Sequence, residues 1–283
     1  MNKPAKQAHI YTPRNTSELQ ALRKAHPRSF PFGGGTYVMS PWTKEVPTGD
    51  IISLDQLSDT LKLNKTESYL EVGSGITLEK LLSLKRHLGS RALYEALTAL
   101  GNGPLRTRAT LGGNIALKAK TVNLPAVLYL LGTRLEVRGL SGSAWIPIRK
   151  YYEEASDNPD PWIITRIRIP IFQSAFERYE IFQERSGLES GALSFCCLAD
   201  LHKDGIISSF GCSFCINGTG VLRNPDMESL VEGKKRPLSG KDISRAVESL
   251  EEMLESHSTP LLPWRKHQIT ALLFDTLKKL GDL

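Results

Sequence analysis

Apolar residues recur along this chain at two periods, and the change of period marks where its character shifts. In residues 16–26, TSELQALRKAH, Leu19 and Leu22 share one side of a 3.6-residue repeat, which predicts a short helix capped by Thr16 or Ser17. DIISLDQL (50–57) and SYLEVGSGI (68–76) read as short strands. Thr77 caps a predicted second helix, LEKLLSLKRHL, ended by Gly89, and RALYEALTAL (91–100) makes a third. Pro125 and Gly132 bracket a small helix, AVLYLL, because proline suits the first turn and glycine the residue past the last. Strands are predicted at RLEVRG (134–139), AWIPI (144–148) and WIITRIRI (162–169).

Beyond Pro170 the pattern changes. FERYEIFQER (176–185) alternates like a half-exposed strand. ALSFCCLADLH and IISSFGCSFCI flank Lys203-Asp204-Gly205, a short glycine-ended connection that suits a β-hairpin. The remainder is helical: DISRAVESLEEMLES, then RKHQITALLFDTLKKL, where Ile269, Leu272, Leu273, Leu277 and Leu280 form one apolar face. The expected fold class is α+β, with one domain over 1–170 and a second, an antiparallel sheet with a helix cluster, over 171–283. There is no internal repeat and no low-complexity segment.

At 283 residues the chain has room for two domains, and 40% hydrophobic residues mark it as globular. No stretch approaches the ~18 consecutive apolar residues of a membrane span. The first residues, MNKPAKQAHIYTP, lack the apolar core of a secretion signal, so a cytoplasmic location is expected. A net charge of +6 is scattered, and aromatics (7%) do not accompany the basic clusters, which argues against nucleic acid as a partner. Cys196, Cys197, Cys212 and Cys215 invite a zinc reading. They lie in extended segments, however, where neighbours one or three apart point to opposite faces, so buried structural thiols are expected and no metal.

Three glycine clusters stand in the first domain: Gly33-Gly34-Gly35-Thr36, Gly73-Ser74-Gly75 and Gly112-Gly113-Asn114. Tight turns are the plain explanation of each. The second lacks the third glycine of a dinucleotide fingerprint, since Leu78 stands there, and no phosphate-binding G-x-x-x-x-G-K-[ST] occurs. The chemical alternative is a concave row of backbone N–H groups that suits a diphosphate, with Thr36, Thr110 and Asn114 as side-chain donors.

The order GGGTYVM, EVGSGITLEKLL and LGNGPLRTRATLGGNIA…LPAVLYLLGTRLEV resembles the FAD-binding (medium) subunit of the molybdenum hydroxylases, the xanthine dehydrogenase and carbon monoxide dehydrogenase flavoprotein family. FGCSFCINGTGVLRNPDMESLVEGKKRPLS resembles that family's C-terminal domain. The resemblance implies a two-lobed FAD-binding domain of the vanillyl-alcohol-oxidase and cell-wall-reductase type. Carried over by residue, Gly33, Gly34, Gly35, Thr36 and Tyr37 match a first pyrophosphate loop, and Thr110, Gly112, Gly113 and Asn114 a second. Leu100 and Gly101 match the lining of the flavin and its ribityl chain, and Arg223 a basic residue near the ring. Asn123 stands where the family commonly has an aspartate toward the cofactor's sugar. Lys118 and Lys120 replace small residues, and Ser190 replaces an acidic one.

The implied function is an oxidoreductase subunit that passes electrons from iron–sulfur clusters through FAD to NAD or another acceptor. Its implied partners are a molybdopterin-binding large subunit and an iron–sulfur small subunit, and it has no catalytic acid, base or nucleophile of its own. Two alternatives stay open. One, motivated by Asn123 and Ser190, is a scaffold that has lost the cofactor. The other is a stand-alone flavin oxidoreductase.

Overall fold

The computed structural model describes residues 9–40, 49–118, 122–140, 142–153, 162–182 and 192–282. In chain order they form β1 (Ile10–Tyr11), α1 (Thr16–Ala25), β2 (Phe30–Phe32), β3 (Ile51–Ser53), β4 (Leu63–Lys65), β5 (Tyr69–Gly73), α2 (Leu78–Leu82), α3 (Arg91–Thr98), α4 (Gly103–Arg106), α5 (Leu111–Ala116), α6 (Pro125–Leu130), β6 (Arg134–Gly139), β7 (Gly142–Pro147), α7 (Ile148–Glu153) and β8 (Ile163–Pro170). There follow β9 (Phe176–Phe182), β10 (Leu193–Leu201), β11 (Ile207–Ile216), β12 (Gly220–Leu222), α8 (Pro225–Val231), α9 (Gly240–Ser256) and α10 (Pro263–Gly281). The architecture is mixed α and β with several sheets.

Two compact units emerge. The first takes 1–88, 100–118 and 132–171; the second takes 89–99, 119–131 and 172–283.

In the first unit a small parallel sheet, ordered β1-β3-β2, is covered by α1. Leu19, Ile52, Leu57 and Ile163 make its core. α1 begins one residue earlier than expected: Asn15 is the cap, accepting from the Glu18 N–H at 2.9 Å, and Glu18 returns a bond to the Arg14 N–H. This reciprocal arrangement satisfies two backbone donors at once, which a lone Thr16 or Ser17 could not do. A second sheet, β4-β5-β8-β6-β7, is antiparallel throughout. Across its strands Glu136 binds Arg166 (2.7 and 2.8 Å) and Thr165 (2.6 Å), while Glu71 binds Arg166 and Arg168. The Arg166 guanidinium is the main cause that holds the Glu136 carboxyl below its ordinary value of 4.5.

The helix predicted over 78–88 is interrupted. α2 stops at Leu82, Lys85 adopts a φ of 49°, and a 3-10 turn completes the run to Leu88 before Gly89 turns at φ 79°. A larger difference concerns TLGGN. The sequence suggested a loop, whereas residues 111–116 form α5 with Thr110 as its cap.

In the second unit β12-β11-β10-β9 form an antiparallel sheet with helices on both faces. Phe195, Cys197, Cys212 and Phe214 pack with Met227, Leu250, Leu273 and Leu277 of α8, α9 and α10. Each large side chain buried this way stabilises by about 1.5–3 kcal/mol. The opposite face meets α6: Ser213 Oγ donates to the Ala126 carbonyl (2.8 Å) and Tyr179 Oη to that of Asn123 (3.1 Å). The hairpin turns where expected, with Gly205 at φ 82°. All four cysteines are buried thiols on β10 and β11, with Cys197 opposite Cys212, Cys196 opposite Ser213 and Cys215 opposite Ser194. Burial pushes the Cys215 thiol up to about 12, so these thiols are inert.

Candidate cofactor site

The first and third glycine clusters converge in the first unit. β2 ends at Phe32 and the chain turns through Gly34 (φ 54°) and Gly35 (φ 70°), a left-handed path that disfavours residues with a Cβ. A Cβ on Gly34 would run into the Arg108 carbonyl oxygen and lie 3.2 Å from Thr110 Cγ2. Loop 33–37 therefore lies directly on the segment leading into α5. The Gly35 N–H folds back to the Gly33 carbonyl, and Met39 N donates to the Gly35 carbonyl at 2.9 Å. Gly34 N reaches only a distant acceptor, Asp55 Oδ1 at 3.4 Å. No hydrogen bond holds the N–H of Gly33 or Thr36 among the described residues. Tyr37, half-buried, continues the turn.

The α5 cluster behaves differently. Leu111 N donates to Ile76 O (3.0 Å), Gly112 N to Ser74 O (2.9 Å), Gly113 N to Thr110 Oγ1 (3.1 Å) and Asn114 N to Thr110 O (2.9 Å). Every donor of this helix N-terminus is thus spent inside the protein, so the expected row of free N–H groups is absent at Gly112 and Gly113. Gly112 is required for another reason. A Cβ there would collide with Ser74 Cβ and come within 2.9 Å of Ser74 O and 3.0 Å of Ser74 Cα. The glycine lets α5 press against the turn after β5, a close approach of backbone to backbone.

Two polar groups remain available beside this seam. The Thr110 hydroxyl accepts from Gly113, which leaves its hydrogen to donate. Asn114 is only 8% exposed, and its Oδ1 is buried without a partner. A half-turn of the amide places a donor in that same position.

The other expected residues lie elsewhere. Leu100 (buried) and Gly101 (φ 55°) form a turn in the first unit whose carbonyls accept from Arg106 Nη1 at 3.2 and 3.3 Å, with Glu79 holding the other side of the guanidinium. Asn123 and Arg223 belong to the second unit. The Asn123 amide is 8% exposed and its Nδ2 is buried without a partner. Arg223 is committed to Glu228 through three bonds of 2.9–3.1 Å, and Glu228 also accepts from Cys212 N. That pairing raises the Arg223 pKa and occupies the edge of the guanidinium. Lys118 lies over the Tyr151 ring at 5.2 Å, while Lys120 and Ser190 fall outside the described residues.

Sequence reasoning missed Asp55 and Ser74. Each acts on a glycine 21 or more residues away, and no local spacing signals it.

The residues present fit an anionic, phosphate-bearing cofactor at loop 33–37, Thr110 and Asn114: uncommitted donors, a side-chain-free turn and an orphaned buried amide meet there. They fit less well at Gly112 and Gly113, whose N–H groups are engaged.

This is the setting of a flavin-binding domain. Over residues 6–172 the chain matches the family described as the FAD binding domain in molybdopterin dehydrogenase, more than half its length. The chain belongs to that family, an oxidoreductase family of the molybdenum hydroxylase type, and FAD is the cofactor the family binds. The fold is similar to a chain of quinoline 2-oxidoreductase from Pseudomonas putida 86 (TM-score 0.79, 15% identity, 99% of each chain). It is also similar to a chain of reconstituted CO dehydrogenase from Oligotropha carboxidovorans (TM-score 0.78, 18% identity, 98% of this chain and 97% of that one). Xanthine dehydrogenase from Emericella nidulans is 25% identical over 173 residues, 56% of this chain. The chain spans about 13% of the length of that relative.

Proposed function

We propose that this chain is the FAD-binding, electron-transferring subunit of a molybdopterin-dependent hydroxylase or dehydrogenase. Its partners in this reading are a large molybdopterin-binding subunit and a small iron–sulfur subunit, and the terminal acceptor is NAD or another oxidant. The observation that carries it is the family match over 6–172, supported by a fold that pairs over nearly the whole chain with chains of a CO dehydrogenase and a quinoline 2-oxidoreductase. We read 1–170 as the FAD-binding domain, with the parallel and antiparallel sheets as the two lobes of the vanillyl-alcohol-oxidase type, and 171–283 as the C-terminal flavoprotein domain.

Bound FAD supplies a centre that exchanges electrons singly or in pairs. The protein's part is to hold and orient it. In this reading the Gly33 and Thr36 N–H groups, the Thr110 hydroxyl and the Asn114 amide meet the diphosphate. Gly34 and Gly35 would let the backbone approach it, Gly112 and Gly113 would support α5, and Tyr37 would complete the first loop. Leu100 and Gly101 would line the flavin side.

The test is purification of the tagged chain from its native host, with metal analysis and visible spectra. The expected result is a complex containing molybdenum, iron and a flavin that bleaches when organic substrate is added. A flavin-loaded chain that comes down alone and turns over substrate unaided would replace this reading with a stand-alone oxidoreductase. Assembly without flavin, even after incubation with excess FAD, would replace it with a scaffold.

A further inference from the structure

We infer that the free edge of the second unit's sheet is a self-association surface, where β9 pairs antiparallel with β9 of a second copy of this chain. β9 closes the order β12-β11-β10-β9 and, among the described residues, is paired with β10 alone. Half of its backbone N–H and C=O groups therefore point away from the sheet. A cleft of about 500 Å³ follows this edge, lined by Phe176 through Ile181, by Arg91, Glu95 and Ala99 of α3, and by Lys279 of α10. Successive strand residues point to opposite faces, so a cleft lined by six in a row looks onto the edge of the strand and not onto either face. Glu177 is held by Ser90 Oγ and the Ala92 N–H at the start of α3, and Arg178 by Asp275 and Thr276 of α10, so the two helices flank the open edge on opposite sides.

The occupant is read from the strand itself. Phe176-Glu177-Arg178-Tyr179-Glu180-Ile181-Phe182 is close to self-complementary about its centre. Antiparallel pairing across a two-fold axis at Tyr179 sets Phe176 opposite Phe182, Arg178 opposite Glu180 and Glu177 opposite Ile181 of the second copy, with no like charges facing. The side chains are prepared for this. Arg178 is fixed by Asp275 (2.7 Å) and Thr276 (2.7 Å), and it binds Glu180 within its own chain through Oε1 alone. Glu180 Oε2 keeps no partner among the described residues, and the carboxylate is 34% exposed, free to accept from the other copy's Arg178. The charges along the cleft balance: Arg91, Arg178 and Lys279 against Glu95, Glu177 and Glu180. A strongly acidic or basic partner gains nothing from such a lining, whereas a strand carrying the same alternation does.

The experiment is sedimentation velocity of the full-length, FAD-loaded chain over a range of concentrations. The expected result is a concentration-dependent shift from 31.4 kDa to twice that mass. E180R sets arginine against arginine twice per interface, and it weakens the dimer by more than ~tenfold. R178E sets glutamate against glutamate and does the same. Mixing the two variants restores a dimer, because each then meets its complement. R178E also removes the anchor on Asp275, so hydrogen exchange of the unmodified chain provides a second readout. Amides of 176–182 slow as concentration rises. A monomer at every concentration, or a dimer indifferent to E180R, overturns the inference. Protection of these amides only when other chains are added overturns it too, and assigns the edge to a partner.

Discussion

Gly112 is the position where the local argument is sharpest, because two explanations of the same glycine predict opposite results. If it serves close approach, Gly112→Ala forces a Cβ into Ser74, whose backbone atoms would sit at 2.9 and 3.0 Å. Overpacking of this kind costs about 2 kcal/mol. Strain on the Gly112 N–Ser74 O bond adds about 1 kcal/mol, and the better helix propensity of alanine returns about 1 kcal/mol. The net loss is about 2 kcal/mol, or about 4–8 °C in Tm for a unit of this size. Gly113→Ala is the control within the same helix turn. Its Cβ meets only Thr110 Oγ1, at 2.9 Å, the end of a side chain that can rotate, so the lost cap and the gained propensity nearly cancel. Thermal unfolding of the FAD-free chain reads the difference directly. Equal Tm values for the two variants, or a G112A chain as stable as its parent but unable to bind FAD, would refute the packing argument and restore the anion nest.

Asn114→Ala separates ligand binding from folding: the orphaned Oδ1 makes no bond in the free chain, so stability falls by less than about 1 kcal/mol, while FAD affinity measured by fluorescence titration drops about tenfold. Glu136 predicts acid sensitivity. A carboxyl held below 4.5 by Arg166 contributes stability that is complete above that value and is lost as pH falls through the depressed one. Urea midpoints measured from pH 7 down to 3 therefore decline below about 4.5. Glu136→Gln costs about 3 kcal/mol at neutral pH and flattens the decline; an unchanged slope would remove Glu136 from the account.

The elements with a strong period or a strong stop were legible in the sequence. α10 follows its apolar stripe, Gly205 turns the β10–β11 hairpin, and Pro125 with Gly132 bounds α6. Strands of two or three residues, such as β1, β2 and β4, were not, because they are shorter than any alternation can register. The α5 helix was misread for a physical reason. Paired glycines lower helix propensity, and only the tertiary contact with Ser74 makes their lack of side chains an advantage. The same limit applies at the site. Residue types at 33–37 and 110–114 were readable as phosphate-compatible, but which N–H groups stay free depends on Ser74, Ile76 and Asp55, and their partners are far along the chain.

That distribution of donors decides where cofactor affinity must come from. A diphosphate carries two charges and several acceptors, yet the α5 N-terminus offers no free N–H, and at six residues the helix adds little dipole field. In the proposed reading the burden therefore falls on loop 33–37. There the Gly34 N–H points at the Asp55 carboxylate over a long 3.4 Å. A carboxylate in that position repels an incoming phosphate and leaves the amide poorly bonded without one. Binding must move Asp55 or be weakened by it, since both anions need the same donor. It follows that Asp55→Asn, which keeps an acceptor and removes the charge, tightens FAD binding. A loop whose donors were all free would show no such gain.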